Sequence, residues 1–146
     1  MQNLNNISSK PISRMTSGIK EWDRVTGSGI VPGSFIVVTG DPGIGKSTLL
    51  LQVAHNLAEK FKTIYFSSEE SLQQVKSRAV RINAVSETLL FSDQATIEMI
   101  LSTCQQEKPD IVIIDSIQNC FFSETQSYPG TVGQLRETSF ALMRLA

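Results

Sequence analysis

The stretch Gly40-Asp41-Pro42-Gly43-Ile44-Gly45-Lys46-Ser47-Thr48 decides the fold. It fits the phosphate-cradling pattern G-x-x-x-x-G-K-[ST] without a gap. Upstream, Phe35-Ile36-Val37-Val38 reads as a buried strand, and downstream Leu49-Leu50-Leu51-Gln52-Val53-Ala54 reads as a helix. Strand, glycine loop and helix form the context that the pattern requires. Glycines let backbone N–H groups turn inward and come close to phosphate. The helix N-terminus adds unpaired donors and a positive dipole end. Lys46 is expected to reach the terminal phosphates and the Ser47 hydroxyl to ligate Mg²⁺. Residues 40–48 together are the expected ATP-binding loop; the competing reading is a glycine-rich turn that caps a helix.

The rest of the 146 residues is enough for one domain with a real core. Hydrophobic residues are 40% and charged residues 18%, ordinary values for a soluble globular protein. Net charge is −1, so the whole chain carries no basic footprint for nucleic acid and any such contact must be local. Cys104 and Cys120 have neither C-x-x-C nor zinc spacing, and Cys104 sits in an amphipathic pattern as a core thiol. No apolar run approaches the ~18 residues of a membrane helix. The polar N-terminus has no signal-peptide core, and the cytoplasm is the expected compartment.

Taken in order, residues 1–13 read as a polar tail containing Pro11, and residues 14–146 as the domain. A turn and short helix over 16–25 place Trp22 and Val25 toward the core. Gly27-Ser28-Gly29 breaks that helix, and Pro32-Gly33 turns the chain into the first strand. The helix after the loop runs to about Lys60, with Leu50, Val53, Leu57 and Phe61 as its buried stripe. His55, off that stripe, reads as a solvated residue. Thr63-Ile64-Tyr65-Phe66-Ser67 is the second strand. A helix over about 70–82 buries Leu72, Val75, Ala79 and Ile82, and presents Lys76, Arg78 and Arg81 outward. Thr88-Leu89-Leu90-Phe91 is a short third strand. Asp93 is placed to cap a helix over about 94–107, which buries Ile97, Ile100, Leu101 and Cys104 and stops before Pro109. Ile111-Val112-Ile113-Ile114 suits a central parallel strand buried on both faces. A long loop over 118–130, polar except for Phe121, Phe122 and Tyr128, leads to a last helix opened by Thr131, with Val132, Leu135, Leu142 and Met143 apolar. The alternation predicts an α/β fold, a parallel sheet flanked by helices with right-handed crossovers.

A phosphate cradle needs a metal anchor and a group to activate water. Asp115, at the carboxyl end of its apolar strand, is placed to hold Mg²⁺ with Ser47. Glu69 and Glu70 end the second strand, at the sheet end where ligands collect. Glu70 suits a helix N-terminus, which leaves Glu69 as the expected base. Lys46 and Glu69 are thus the expected catalytic residues.

These segments resemble the bacterial RadA/Sms family of the RecA/DnaB/KaiC group. The resemblance rests on Arg14-Met15-Thr16-Ser17-Gly18-Ile19-Lys20-Glu21-Trp22-Asp23-Arg24-Val25, on Ile30-Val31-Pro32-Gly33-Ser34 and on the loop and its helix. It rests also on Ser67-Ser68-Glu69-Glu70-Ser71-Leu72-Gln73-Gln74-Val75, on Ile114-Asp115-Ser116-Ile117-Gln118 and on Pro129-Gly130-Thr131-Val132-Gly133-Gln134-Leu135-Arg136-Glu137. It covers about residues 14–146. It implies a RecA-like P-loop ATPase that uses ATP and Mg²⁺, forms a homo-hexameric ring, binds single-stranded DNA and promotes branch migration beside a RecA-type recombinase. It carries phosphate and Mg²⁺ onto Lys46 and Ser47, the metal onto Asp115 and water activation onto Glu69.

Three departures stand out. No cysteine precedes residue 104, so the family's four-cysteine zinc module is expected to be absent. Ser68 stands where the family has glycine, and Thr26-Gly27-Ser28-Gly29 where it favours leucine and an unbroken glycine run. Both bear on local backbone geometry. The family also continues past Ala146, with another core strand, a DNA-binding loop and a Lon-protease-like domain. In RecA-type sheets that further strand lies between the loop strand and the Asp115 strand. The expectation is a truncated core in which those two strands face each other across a gap with unpaired backbone groups, and little ATP turnover by the isolated chain. The alternatives are a KaiC-like nucleotide-switched assembly module and a binding-only remnant. Arg136 and Arg144 are candidates for subunit contacts.

Overall fold

The computed structural model describes residues 3, 6, 12–94, 96–123 and 130–146. Five α-helices and three strands alternate along them: α1 Lys20–Val25, α2 Lys46–Ala58, β1 Thr63–Ser67, α3 Leu72–Arg81, β2 Leu90–Ser92, α4 Ile97–Glu107, β3 Ile111–Asp115 and α5 Val132–Leu145. A 3₁₀ turn, Ile117–Asn119, follows β3. Most of the expected tail, and Pro11, Tyr128 and Pro129, lie outside the described residues.

The strands form a parallel sheet in the order β2-β1-β3. The register sets Ile64 beside Leu90 and Val112, and Ser67 beside Asp115. Helices cover both faces, as parallel strands joined by helical crossovers require. Side chains alternate between the faces. Tyr65, Ile111 and Ile113 pack with Leu51, Val53 and Leu57 of α2 and Val75 and Ala79 of α3. Ile64 and Phe66 pack with Ile97, Ile100 and Cys104 of α4 and Leu142 of α5.

Residues 35–38 do not form the expected strand. They carry no regular secondary structure, have no ladder partner and make no backbone hydrogen bond among the described residues. Phe35, Ile36 and Val37 are 36%, 43% and 61% exposed. The segment faces β3 across a cleft of about 430 Å³ lined by both. The gap expected between these two strands is therefore present, and it explains the exposure: a strand needs a ladder to satisfy its backbone. It also moves the centre of the sheet. Every residue of β1 is buried, whereas Val112 and Ile114 of β3, expected to be buried on both faces, are half-buried.

Local chemistry sets the helix ends. Ser71 opens α3 with a capping box: its hydroxyl accepts from the Gln74 N–H and its own N–H donates to the Gln74 side chain. Thr131 caps α5 as expected. Asp93 does not cap α4; Thr96 takes that position without a side-chain cap, and the next residue's N–H, that of Ile97, donates to the Phe121 carbonyl. Lys108 ends α4 in the left-handed region, before Pro109.

Several surface expectations change. Leu72, Val132 and Met143 are exposed at 39%, 83% and 53%, because the helices carrying them have one covered face only. On α5 that covered face is partly polar, with Gln134 and Thr138 buried beside Leu142. His55 is half-buried rather than solvated, and its Nδ1 has no hydrogen-bond partner among the described residues. Arg78 is not a solvated charge; it pairs with Glu70.

Candidate nucleotide site

Residues 40–45 leave the top of the 35–38 segment and turn into α2. Gly43 and Gly45 have φ of +79° and +104°, a region that strains any side chain. Gly45 is the N-cap of α2, and no side chain caps that end. The amide donors at the start of α2 therefore face the loop, as a phosphate cradle needs. Lys46 Nζ donates to the carbonyls of Gly40 and Asp41 at 2.8 and 2.9 Å, so the lysine lies folded over the loop.

The sheet brings Asp115 to this loop. Ser47 Oγ donates to Asp115 Oδ1 at 3.1 Å across 68 residues of sequence. Both groups are half-buried. Two hard oxygen donors, side by side at the mouth of an amide-lined loop, fit the way Mg²⁺ is held by one or two protein ligands plus phosphate. Among the described residues no cluster of three or more His, Cys, Asp or Glu side chains could hold a metal by itself.

Tyr65 completes this pair and had no motif to announce it. Its phenol donates to Asp115 Oδ2 at 2.6 Å. Burial, and then the Asp115 hydrogen bond, push the phenol far above its ordinary range, so it stays a donor. The period of two along a strand was the available signal: Tyr65 and Ser67 share a face of β1, and Ser67 lies beside Asp115.

The two glutamates have separate surroundings. Glu69 Oε1 accepts from Ser116 Oγ at 2.5 Å and from Gln118 Nε2 at 3.0 Å. These donors follow directly on Asp115, so the carboxylate expected to act as base is tied to the end of the metal-anchor strand. Glu70 pairs with Arg78, and its N–H donates to Ser67 Oγ. Ser68, in the glycine position, causes no left-handed strain. Its hydroxyl accepts from the Ser116 N–H at 2.9 Å and donates to the Ser116 carbonyl at 2.8 Å. The loop after Asp115 is held from α5. The buried Gln134 amide nitrogen donates to the carbonyls of Ile117 and Cys120, and its oxygen accepts from the Gly130 N–H. Arg136 stacks on the Phe140 ring of its own helix at 5.7 Å, and neither it nor Arg144 joins this site.

Residues 14–120 match the family of the DnaB-like helicase C terminal domain. The chain belongs to this family. It is 46% identical over 146 residues to the DNA repair protein RadA of Escherichia coli (strain K12), covering all of this chain and 32% of that protein. The DNA repair protein RadA of Listeria monocytogenes is 43% identical over 144 residues, again covering 32% of the relative. The chain thus spans about a third of the length of these curated relatives, and the expected kinship with RadA proteins holds across it. Two solved structures share the fold at 20% identity. One is a DnaB-like replicative helicase described with its primase interactions, with a TM-score of 0.73 over 94% of this chain and 42% of that one. The other is the flagellar accessory protein FlaH from Methanocaldococcus jannaschii, with a TM-score of 0.64 over 92% of this chain and 67% of that one. The family is one of RecA/DnaB-like P-loop ATPases. No described helix is long and apolar enough to cross a membrane.

Proposed function

We propose that this chain is the nucleotide-binding part of a DNA-repair ATPase core, residues 14–146, in which residues 40–48 hold ATP. The observation that carries this reading is the Ser47–Asp115 contact at 3.1 Å. It joins the loop to the strand-end aspartate where a metal–phosphate group must sit. Lys46 would exchange its loop carbonyls for phosphate oxygens. Ser47 and Asp115 would hold Mg²⁺, which when bound neutralises charge on the terminal phosphates. Glu69, oriented by Ser116 and Gln118, would take the proton of the attacking water. By kinship with RadA, the substrate track is single-stranded DNA, the partner a RecA-type recombinase, the assembly a homo-hexamer, the process branch migration and the compartment the cytoplasm. The KaiC-like switch has no observation of its own in its favour.

The test is binding of a fluorescent ATP analogue with and without Mg²⁺, and ATP turnover with and without single-stranded DNA. It uses the chain, Lys46→Ala and Glu69→Gln. Expected are Mg²⁺-dependent binding, lost in Lys46→Ala and kept in Glu69→Gln, and only slight turnover by the chain, any DNA-stimulated part of it lost in both variants. Binding indifferent to Mg²⁺ and to Lys46 overturns the reading. Tight binding with no turnover under any condition reduces it to a nucleotide-holding remnant.

A further inference from the structure

The sheet ends on the pair Ser67 and Asp115, but the two chains stay joined one residue further. The Ser68 N–H donates to the Asp115 carbonyl at 2.9 Å. The Ser68 hydroxyl then engages both backbone groups of Ser116: it accepts from the N–H at 2.9 Å and donates to the carbonyl at 2.8 Å. The same carbonyl accepts from the fully buried Cys120 thiol at 3.6 Å. With its main chain held in this way, Ser116 has its hydroxyl left to place. That hydroxyl donates to Glu69 Oε1 at 2.5 Å, and Gln118 Nε2 donates to the same oxygen at 3.0 Å. Among the described residues nothing donates to Glu69 Oε2. A carboxylate has about four acceptor sites shared between its two oxygens, so two donors on one oxygen and none on the other make the group asymmetric. Glu69 is otherwise exposed, and without these donors its side chain has many rotamers open to it.

We infer that Ser68 is the positioning residue of Glu69: acting through Ser116, it keeps Oε1 anchored and leaves Oε2 as the oxygen that takes the proton of the attacking water. This rests on the reading of Glu69 as the base. In the step, the water oxygen bonds to the terminal phosphorus and one water O–H bond breaks. Its proton passes to Oε2, and ADP leaves with the electron pair of the broken phosphorus–oxygen bond. Ser68 touches no reacting atom. Its side chain reaches Ser116, while its backbone N–H holds the Asp115 carbonyl whatever side chain it bears. Loss of the hydroxyl therefore spares the metal anchor and frees the anchor of the base. Ser116 then keeps its hydroxyl but loses the support that aims it, as in any polar network whose members hold one another. A base displaced by about 1 Å can slow a reaction by roughly a hundredfold, so even a partial release of Glu69 is large enough to measure.

The first measurement is made on the whole chain without nucleotide, so its result is independent of the ATP reading. The side-chain amide resonances of Gln118, assigned by their loss in Gln118→Leu, report the place of Glu69 Oε1. Ser116→Ala removes a donor to that oxygen, and Ser68→Ala removes only the support of the donor. Both substitutions should move the Gln118 resonances, and the double variant should move them no further than Ser116→Ala alone, because the two act in one chain of contacts. Ser68→Thr, which keeps the hydroxyl, should leave them in place. The second measurement is single-turnover hydrolysis of ATP with the chain in excess. Ser68→Ala should slow it by about tenfold while the affinity for Mg²⁺-nucleotide stays within about twofold, and Ser68→Thr should keep both. A merely structural part behind Asp115 would weaken nucleotide binding as well. Gln118 resonances unmoved by Ser68→Ala, additive shifts in the double variant, or an unchanged hydrolysis rate overturn the inference. Failure of the parent chain to bind nucleotide counts against the ATP reading, and the Gln118 resonances then decide whether Ser68 positions Glu69.

Discussion

The Tyr65 phenol donates a 2.6 Å hydrogen bond to Asp115 Oδ2, while Ser47 holds the other oxygen of the same carboxylate. The aspartate is thus fixed from β1 and from α2, and its orientation does not depend on β3 alone. Tyr65→Phe keeps the ring in the core and removes only the donor. It should lower the affinity for Mg²⁺-nucleotide by about fivefold to tenfold, and lower stability by about 1–2 kcal/mol, the worth of one such hydrogen bond. Binding titrated against Mg²⁺ separates the two effects: a purely structural role would leave the Mg²⁺ dependence unmoved.

Gln134 is 1% exposed and its amide group is fully engaged with the loop behind Asp115. Gln134→Met keeps the volume and abandons the carbonyls of Ile117 and Cys120. Destabilisation of about 2–4 kcal/mol is expected in urea unfolding, because buried acceptors lose their partner. Gln74→Met, at the exposed capping box of α3, should cost only about 0.5–1 kcal/mol.

Ser28 has φ of +73°, between Gly27 and Gly29 in the turn braced by Arg14. A side chain there costs roughly 1–2 kcal/mol, and glycine gives back roughly 0.5–1 kcal/mol in unfolded-chain entropy. Ser28→Gly should therefore stabilise the chain by about 0.5–1 kcal/mol in thermal or urea unfolding. Gly29→Ala should do the reverse, since an added Cβ would lie 2.9 Å from the Met15 carbonyl oxygen.

Burial pushes the Cys120 thiol up to about 11, and burial raises Cys104 as well. A raised folded pKa keeps its stability below the unfolded value and loses it as pH rises toward the folded one. From an unfolded thiol near ~8.5 to about 11 for Cys120, the unfolded chain releases protons that the native chain retains. Stability should fall across that window, less steeply in the double variant Cys104→Ala/Cys120→Ala. At pH 8 both thiols should react slowly with iodoacetamide until urea unfolds the chain.

Much of the molecule was legible from local pattern. β1 has the predicted bounds, and α2, α3, α4, β3 and α5 lie where periodicity and punctuation put them, within a few residues. The loop residues and Asp115 were legible because their chemistry is written in consecutive residues and in a strand end. The companions of Asp115 and Glu69 were not. Tyr65 finds its acceptor at the end of a neighbouring strand, and Ser116 and Gln118 find theirs in the turn just past one, 47–50 positions away in sequence. The polar buried face of α5 was missed for the same reason. Gln134 is a core residue because the loop after β3 presents the carbonyls of Ile117 and Cys120 to it, and Thr138 accepts from the same amide nitrogen.

The segment 35–38 shows where the two kinds of information divide. By itself the sequence determined that Phe35-Ile36-Val37-Val38 favours extended backbone, that Gly43 and Gly45 turn it into a helix, and that Asp115 ends a buried run. The resemblance, and not the segment's own residues, implied a gap beside β3; only the tertiary structure decided that the segment forms no strand and leaves Phe35, Ile36 and Val37 exposed beside the cleft. Side-chain periodicity is encoded locally, but a strand's hydrogen bonds belong to its neighbours, and a neighbour's presence is a property of the sheet and not of the segment.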